Sequence, residues 1–538
     1  MFRKNEEHRQ QKMFTAVDQL PDAARKILLN SWANYFYADF FSRLDEEVFS
    51  VIYSTNTSRP NTPVNILVGF EALKSGFGWS DEELYHHFLF DLQVRYALGL
   101  HDFDEGYFDL RTIYNFRSAL VCYEQAYGIN LIQKATEQIT DEQIAQFKLK
   151  TGMQRMDSTQ VQSNIRNMSR IQLLVEIIQR LHRILSLADQ ERYSSRFAAY
   201  IKEDSLHYCY RIERDEAESR LNQIGTDLAF FVAEFESDYQ GKKEYEDLRR
   251  VFGEHFRFEE DRLVIKKGKE LSGATLQSPD DPEATYRRKS GENAKGYVAN
   301  ITETCDPDND LQLITAVSVE PNITDDQKLM SDDLTGLKER TDIEEIVTDA
   351  GYTGPTANEA IEEHAVKQIA TGIKGRKKKE NELGLENFEL TCDEHGAISS
   401  IECPNGCMGE IKEGRKPGRY SAEFNSSDCT ACPFCENCPS ARLKKRPVFI
   451  LRFSDNDVRV ALQRQRLEEN KQALNIRASV ESTVRSVIHP FGGHLCKMCV
   501  RGKSRIKTMV VLSAAMVNIR RITGHLIKSK ENMYFQAA

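Results

Sequence analysis

The sequence lacks the features that direct a chain into or across a membrane. No apolar run approaches the roughly 18 residues that span a bilayer, and the opening stretch, MFRKNEEHRQQKMF, has no hydrophobic segment of signal-peptide type. Internal repeats and low-complexity tails are also missing. These absences predict a cytoplasmic protein without membrane contact, whose 12 cysteines are free thiols or metal ligands rather than disulfides.

A net basic charge is missing as well. The formal net charge is −10, which argues against a uniformly basic nucleic-acid-binding protein. The charge is unevenly distributed, because nine Lys and Arg residues between Lys497 and Glu531 accompany one acidic residue. Shorter basic runs are KGRKKK (Lys374–Lys379) and RLKKR (Arg442–Arg446). Such patches either follow a phosphate backbone or are ordinary solvated loops.

At 538 residues the chain is too long for one hydrophobic core, so three or four domains are expected. The first ~150 residues have apolar positions at helical spacing, and a second helical stretch, predicted as a long antiparallel helical pair, follows near residue 165. Strand signals occur before and after this stretch, at QRMDSTQ, GYVANITETCD, LQLITAVSVEP, IEEIVTDAGYTGP and VKQIATGI. This order predicts an α/β domain with a mixed five-stranded sheet interrupted by two insertions.

Three acidic residues stand where such a sheet would expose functional groups. Asp157 lies at a predicted strand, Asp349 ends a buried strand before the turn AGY, and Glu481 lies in a helix between Arg477 and Arg485. Mg²⁺ and Mn²⁺ prefer oxygen ligands, and sets of carboxylates are typical of sites for phosphoryl transfer. Each residue alone is equally compatible with a turn former, a helix cap or a surface ion pair.

The motifs around these residues resemble those of the DDE transposases of bacterial insertion sequences. MDSTQV resembles that family's first-aspartate motif, VTDAGYTG its second, and RASVESTVRSVIHPFGG its R-x3-E helix. The segment from VNILVGFEALKSG to RTIYNFRSAL resembles its N-terminal domain. The resemblance implies an RNase H-like catalytic core preceded by an all-α DNA-binding domain.

The resemblance further implies that Asp157, Asp349 and Glu481 form the catalytic triad and hold Mg²⁺ or Mn²⁺, with Arg477 facing phosphate or orienting the carboxylate. Two departures concern Glu481, because the related signature has Tyr and Lys where this chain has Leu474 and Ile488. The alternatives on the preceding segment are Glu468 and Glu469.

Basic residues near the motifs are candidates for contacts with DNA phosphates, which position a protein without reading base sequence. They are equally compatible with exposed basic loops. These candidates, which join Arg477, are Arg287, Arg288, Lys289, Lys295, Lys374 and Arg376.

Cysteines are concentrated before the glutamate helix. The run CTACPFCENCPS has C-x2-C-x2-C-x2-C spacing, and ECPNGCMG supplies a further pair. Two groups separated by about twenty residues are typical of a structural Zn²⁺ site. Free thiols and an iron–sulfur cluster are the alternatives, and any four ligands would come from Cys403, Cys407, Cys429, Cys432, Cys435 and Cys438.

The leading hypothesis is a DNA transposase that acts on terminal inverted repeats and target DNA, as a homodimer on paired ends. A nuclease of the same fold without strand transfer, and a catalytically inactive or domesticated DNA-binding protein, are the alternatives. The predicted segments are a helical DNA-binding domain (1–148), the catalytic core (149–164 and 262–384), a helical insertion (165–261), a Cys-rich insertion (385–447) and C-terminal helices that complete the core (448–538).

Overall fold

A computed structural model gives the fold of the chain. It describes residues 1–10, 14–54, 60–210, 212–260, 262–289, 291–372, 382–392, 398–444, 446–469 and 473–537. The side chains at 392, 463, 466–469, 473–478 and 530–537 are outside this description.

The helices of the described residues follow in chain order. They are α1 (Asp22–Leu29), α2 (Trp32–Asp39), α3 (Val64–Phe77), α4 (Asp81–Phe90), α5 (Leu92–Ala97), α6 (Leu110–Tyr127), α7 (Leu131–Phe147), α8 (Arg170–Ile184), α9 (Leu187–Arg192), α10 (Ser194–Ile201), α11 (Ser205–Tyr210), α12 (Ala217–Glu234), α13 (Glu236–Tyr239), α14 (Lys243–His255), α15 (Asp326–Arg340), α16 (Pro355–Glu363), α17 (Ser426–Thr430), α18 (Asp455–Glu469), α19 (Ala473–Ile488) and α20 (Lys503–Ala537).

The strands are β1 (Met153–Gln162), β2 (Phe256–Glu259), β3 (Arg262–Ile265), β4 (Thr285–Lys289), β5 (Glu292–Thr304), β6 (Ile314–Pro321), β7 (Glu345–Thr348), β8 (Lys367–Ala370), β9 (Glu389–Cys392), β10 (Ile398–Glu402), β11 (Met408–Glu413), β12 (Arg419–Asn425), β13 (Ala441–Arg442) and β14 (Val448–Ser454). About half of the chain is helical and one sheet is mixed, so the α/β prediction is confirmed.

Contacts divide the chain into two compact units. Unit 1 comprises Met1–Lys150, Ser158–Thr324 and Ser482–Ala538, and unit 2 comprises Thr151–Asp157 and Asp325–Glu481. Strand β1 and helix α19 each contribute residues to both units. The five predicted segments divide the chain differently and stay a prediction.

Helix α20 is a core helix of unit 1 and packs on α3, α7 and β6. Its side chains Ile506, Val510 and Leu512 are fully or almost fully buried. By length and composition alone, Lys503–Ser529 is apolar enough to cross a membrane, which the sequence analysis did not anticipate, and 61% of its apolar window is buried inside the protein. Packing within unit 1 therefore accounts for the apolar character of this helix.

The predicted helical pair after residue 165 is wrong in detail, because the segment forms seven helices, α8 to α14, within unit 1. They enclose a core of their own, in which Leu174, Ile178, Leu228 and Phe231 are completely buried. The hydrophobic spacing identified the buried faces, but short turns divide what reads as long periodicity into separate helices.

In unit 1, the long strand β5 pairs antiparallel with β4 and with β6. The end of β1 also neighbours β5, where the Ser163 backbone N–H donates to the Lys295 carbonyl oxygen at 3.0 Å. Gly296 permits this approach, since a Cβ atom there would lie 2.5 Å from the Val161 carbonyl oxygen. Almost every residue of β5 after Gly296 is buried, so the strand forms the centre of its sheet.

In unit 2, β1, β7 and β8 pair in parallel. Helices α15 and α16 supply the crossovers to β7 and β8, and their buried side chains include Leu329, Leu334 and Ala357. Parallel strands require such crossovers, and their buried positions read as continuous apolar runs.

Unit 2 also contains an antiparallel sheet in the order β13-β14-β12-β11-β10-β9. The Cys-rich segment showed little periodicity in the sequence, yet it forms most of these strands around a small core that includes Phe388, Ile401, Phe424 and Leu451. Its strands are short and alternate with Gly- and Cys-containing turns, which is why the alternation of apolar residues was not recognised.

Candidate active site

One predicted aspartate lies on a strand of unit 2, and another directly follows the parallel strand beside it. The register of β1 and β7 pairs Met153 with Glu345 and, as its last pair, Arg155 with Val347. Asp157 and Asp349 each stand two residues beyond that last pair, Asp157 within β1 and Asp349 directly after β7. Neighbouring strands lie about 4.8 Å apart, which makes the two aspartates candidates for one site.

Asp349 directly follows β7 and caps a short 3-10 helix, Ala350–Tyr352. Its Oδ1 atom accepts a hydrogen bond from the Gly351 backbone N–H at 2.6 Å. Gln368 on β8 stabilises the same turn, because its amide donates to Thr348 Oγ1 at 2.9 Å and to the Tyr352 carbonyl oxygen at 3.2 Å. The turn after β7 therefore fixes the Asp349 carboxylate.

Asp326, which the sequence analysis missed, lies beside this turn. It is the first residue of α15 and is only 6% exposed. A Cβ atom on Gly351 would lie 2.6 Å from Asp326 Oδ2 and 2.7 Å from Asp349 Oδ1. The two carboxylates therefore both lie close to the space that a side chain at position 351 would occupy. The available signal was the pair Asp325–Asp326 at the start of a helix, which more commonly indicates favourable charge at a helix N-terminus.

Glu481 lies in α19 and is exposed, whereas the preceding Val480 is fully buried. The helix therefore buries its apolar side and leaves the Glu481 carboxylate accessible. Arg477 belongs to the same helix, but its side chain is outside the described part of the structure. The side chains of Glu468 and Glu469, the alternative glutamates, are outside it too.

The three predicted carboxylates do not form a compact cluster. Among the described residues, the only three carboxylates whose oxygens all lie within 4.8 Å of one another belong to Asp102, Asp104 and Glu105 in unit 1. That cluster lies in a loop around Arg95, whose guanidinium donates to the carbonyl oxygens of Asp102 at 3.0 Å and Glu105 at 2.6 Å. Loop geometry thus accounts for the cluster, and the structure assigns it no ligand.

The predicted DNA-binding residues on β4 and β5 belong to unit 1 and differ in exposure. Arg288 and Lys289 are exposed. Arg287 is half-buried and donates to the carbonyl oxygens of Asn322 at 3.0 Å and Thr324 at 3.4 Å. Burial lowers the pKa of the half-buried Lys295. Arg288 and Lys289 are therefore the better placed of the four to meet phosphate.

Lys374 and Arg376, the remaining basic candidates, lie outside the described residues. Their predicted contact with DNA is therefore an expectation from the sequence alone.

Six cysteines of unit 2 lie in the turns at one end of the antiparallel sheet. Five of them, Cys403, Cys429, Cys432, Cys435 and Cys438, line a cavity of about 30 Å³. The sixth, Cys407, donates its backbone N–H to Cys403 Sγ at 3.4 Å. All six are free thiols. Burial, together with the neighbouring thiols of Cys438, Cys403, Cys407 and Cys432, raises the pKa of the Cys429 thiol to about 11.

Comparison with protein families concerns the later part of the chain. Residues 402–523 match the family model described as a transposase DDE domain. This segment is therefore similar to a transposase DDE domain. The matched segment includes Glu481 and all six cysteines and begins after Asp157 and Asp349, so it supports a DDE transposase without testing the two aspartates. No curated protein and no solved structure matches the chain.

Proposed function

We propose that the chain is a DNA transposase that binds the terminal inverted repeats of an insertion sequence and catalyses strand cleavage and strand transfer. The observation that carries this proposal is the parallel pairing of β1 with β7, because the same register continued by two residues would bring Asp157 beside Asp349. The transposase DDE domain at residues 402–523, which contains Glu481, supports the same assignment.

The strand pairings support an RNase H-like core. In unit 2, β7 pairs in parallel with β1 and with β8. In unit 1, β5 pairs antiparallel with β6 and neighbours the end of β1. Such a core requires parallel and antiparallel pairs within one sheet, and these strands belong to one six-stranded sheet.

The donor chemistry fits a divalent cation. Asp157 and Asp349 offer carboxylate oxygens on adjacent strands, and Glu481 offers an exposed carboxylate. Mg²⁺ and Mn²⁺ prefer such oxygen ligands. Bound there, the cation would neutralise the charge that develops on the phosphoryl oxygens during phosphoryl transfer.

The residues of the chain would contribute positioning, which provides much of the catalysis in phosphoryl transfer. The Gly351 N–H and the Gln368 amide hold the turn that carries Asp349. A turn held from two sides keeps the carboxylate in place while water, and later a DNA 3′-hydroxyl, attacks phosphorus in line with the leaving oxygen.

DNA contacts would come from separate surfaces of the chain. The exposed Arg288 and Lys289 would neutralise backbone phosphates, and the helices α1 to α7 would bind the inverted repeats. A homodimer acting on paired ends, target DNA as the second substrate, and a cytoplasmic location with binding to the nucleoid complete the proposal.

The substitution Asp349→Asn tests the catalytic assignment. Asparagine keeps an oxygen that accepts the Gly351 N–H, so the turn should fold, but the negative charge is lost. We expect this variant to bind DNA carrying the element's ends in a mobility-shift assay and to lose strand cleavage. Asp332→Asn is a matched control, because Asp332 is an exposed carboxylate of α15 that pairs with Lys328 at 2.9 Å.

The outcomes separate the candidate functions. Cleavage by Asp349→Asn at the wild-type rate would remove Asp349 from the site. Cleavage by the wild-type chain without joining to target DNA would identify a nuclease. Specific binding without cleavage by the wild-type chain in Mg²⁺ or Mn²⁺ would identify an inactive DNA-binding protein.

A further inference from the structure

Four of the cysteines of unit 2 form two pairs on two turns. Cys403 and Cys407 flank the loop between the antiparallel strands β10 and β11. Cys429 lies on α17, and Cys432 lies just after that helix. These pairs have C-x3-C and C-x2-C spacing. Two such pairs from separate turns are the usual ligand arrangement of structural zinc sites.

The first turn holds its sulfur atoms as a metal-binding turn does. The Cys403 N–H donates to the Cys407 carbonyl oxygen at 2.9 Å, and the Cys407 N–H donates to Cys403 Sγ at 3.4 Å. Gly406, with φ +78°, makes the tight loop possible. A backbone N–H directed at a sulfur stabilises negative charge there, which a thiolate ligand requires.

The second turn has the same feature. The Phe434 N–H donates to Cys432 Sγ at 3.4 Å, and the Cys432 N–H donates to the Cys429 carbonyl oxygen at 3.3 Å. Cys403 and Cys407 are both electrostatic neighbours of Cys429, and Cys432 is a neighbour of Cys407. The two turns therefore face one another.

We propose that Cys403, Cys407, Cys429 and Cys432 bind one structural zinc ion that joins the β10–β11 turn to the turn after α17. This proposal is independent of the proposed catalytic function. Cys435 and Cys438 form a further C-x2-C pair that lines the same cavity, and Cys438 is also an electrostatic neighbour of Cys429. Backbone N–H donors to Cys403 Sγ and Cys432 Sγ distinguish the quartet, whereas Cys438 Sγ lies 3.1 Å from Ser440 Oγ as a hydrogen-bond partner.

The cavity favours a single ion over an iron–sulfur cluster. A cavity volume of about 30 Å³ has room for a few atoms of the size of a water molecule at most, whereas a cluster of several iron and sulfide atoms needs far more. Among the described residues no three cysteine sulfurs lie within 4.8 Å of one another. Zinc–sulfur bonds of about 2.3 Å would therefore draw the two turns closer together.

Zinc would supplement a small hydrophobic core. The antiparallel sheet encloses few fully buried side chains, among them Ile401 and Ala422, and several of the cysteines pack at its edge. Metal binding by thiolates contributes directly to folding free energy in small domains. The zinc site would thus fix the end of the sheet where these turns lie.

Elemental analysis of the full chain, purified with a reducing agent, tests the proposal. We expect about one zinc per chain in the wild type, near-complete loss in Cys403→Ser and in Cys432→Ser, and full retention in Cys438→Ser. Cys499→Ser is the control outside the segment, because Cys499 is an exposed free thiol.

A second measurement guards against variants that do not fold. Alkylation of the native wild-type chain, followed by mass spectrometry, should find the four proposed ligands protected until a chelator is added. The proposal would be overturned if the wild-type chain contained no metal or contained iron. It would also be overturned if Cys438→Ser lost zinc as completely as Cys403→Ser. Protection of a different set of four cysteines would overturn it too.

Discussion

Gly351 provides the sharpest test of the geometry around Asp349. The substitution Gly351→Ala places a methyl group between two carboxylates, 2.6 Å from Asp326 Oδ2 and 2.7 Å from Asp349 Oδ1. Ordinary contact between carbon and its neighbours needs more than 3 Å, so both oxygens must retreat by roughly 0.5–1 Å. The backbone N–H at position 351, which donates a hydrogen bond to Asp349, is still present in the variant. The effect of the substitution is therefore steric.

Gly351→Ala should affect both catalysis and folding stability. A displacement of about 1 Å of a catalytic group can lower a rate by ~10²-fold, which corresponds to about 2.7 kcal/mol of transition-state free energy. Overpacking of this kind lowers the free energy of unfolding by about 1–3 kcal/mol. The variant should therefore fold and bind DNA while it cleaves about a hundred times more slowly.

The assay is the rate of strand cleavage on DNA that carries the element's ends, with thermal unfolding and a mobility shift measured in parallel. Gly372→Ala is the matched control, because its Cβ would meet Ala350 Cβ at 3.4 Å, an ordinary contact. A Gly351→Ala protein that cleaves at the wild-type rate, or a Gly372→Ala protein that is equally impaired, would refute the reasoning.

Two further predictions concern buried charge in unit 1. The Glu303 carboxylate is completely buried, accepts a hydrogen bond from Thr483 Oγ1 at 2.8 Å and pairs with Arg521 at 2.7 Å. Arg521→Met removes this cation and should lower the free energy of unfolding in urea by about 3–5 kcal/mol. Lys528→Met, at an exposed site of the same helix, should change that free energy by less than about 0.5 kcal/mol, and equal effects of the two substitutions would contradict the buried pair. Burial, with Arg170 and Lys266 nearby, lowers the pKa of His255 to about 4. Between about pH 6.5 and pH 4 the imidazole is therefore protonated in the unfolded chain but neutral in the folded chain. The free energy of unfolding should fall by up to about 3 kcal/mol as the pH drops through that range. Urea unfolding between about pH 7 and pH 5 should show this loss in the wild type and a shallower one in His255→Gln; identical pH profiles would exclude the histidine as the cause.

The sequence predicted the α/β class and the position of Asp349 because both depend on local signals. A short apolar run that ends in Asp-Ala-Gly-Tyr predicts a buried strand followed by a turn, and β7 and the following 3-10 helix match it. The pairing of β1 with β7 could not be predicted from either segment, since the register of two parallel strands depends on crossover helices that lie between them in the chain.

Other features depend on contacts between distant residues. Asp326 lies 23 positions before Asp349, and only the approach of α15 to Gly351 brings the two carboxylates together. The antiparallel sheet of the Cys-rich segment was missed because its strands are short and its core draws single residues from several of them. The C-terminal helix α20 is apolar because it packs within unit 1, which composition alone does not distinguish from a membrane segment.

The central claim is that Asp157 and Asp349 together bind a catalytic cation, and diffraction from crystals soaked in Mn²⁺ tests it most directly. The account predicts an anomalous peak within bonding distance of both carboxylates in the wild-type chain, and its loss in Asp349→Asn. An occupied manganese site elsewhere, with no peak beside these two residues in a chain that cleaves DNA, would contradict the account.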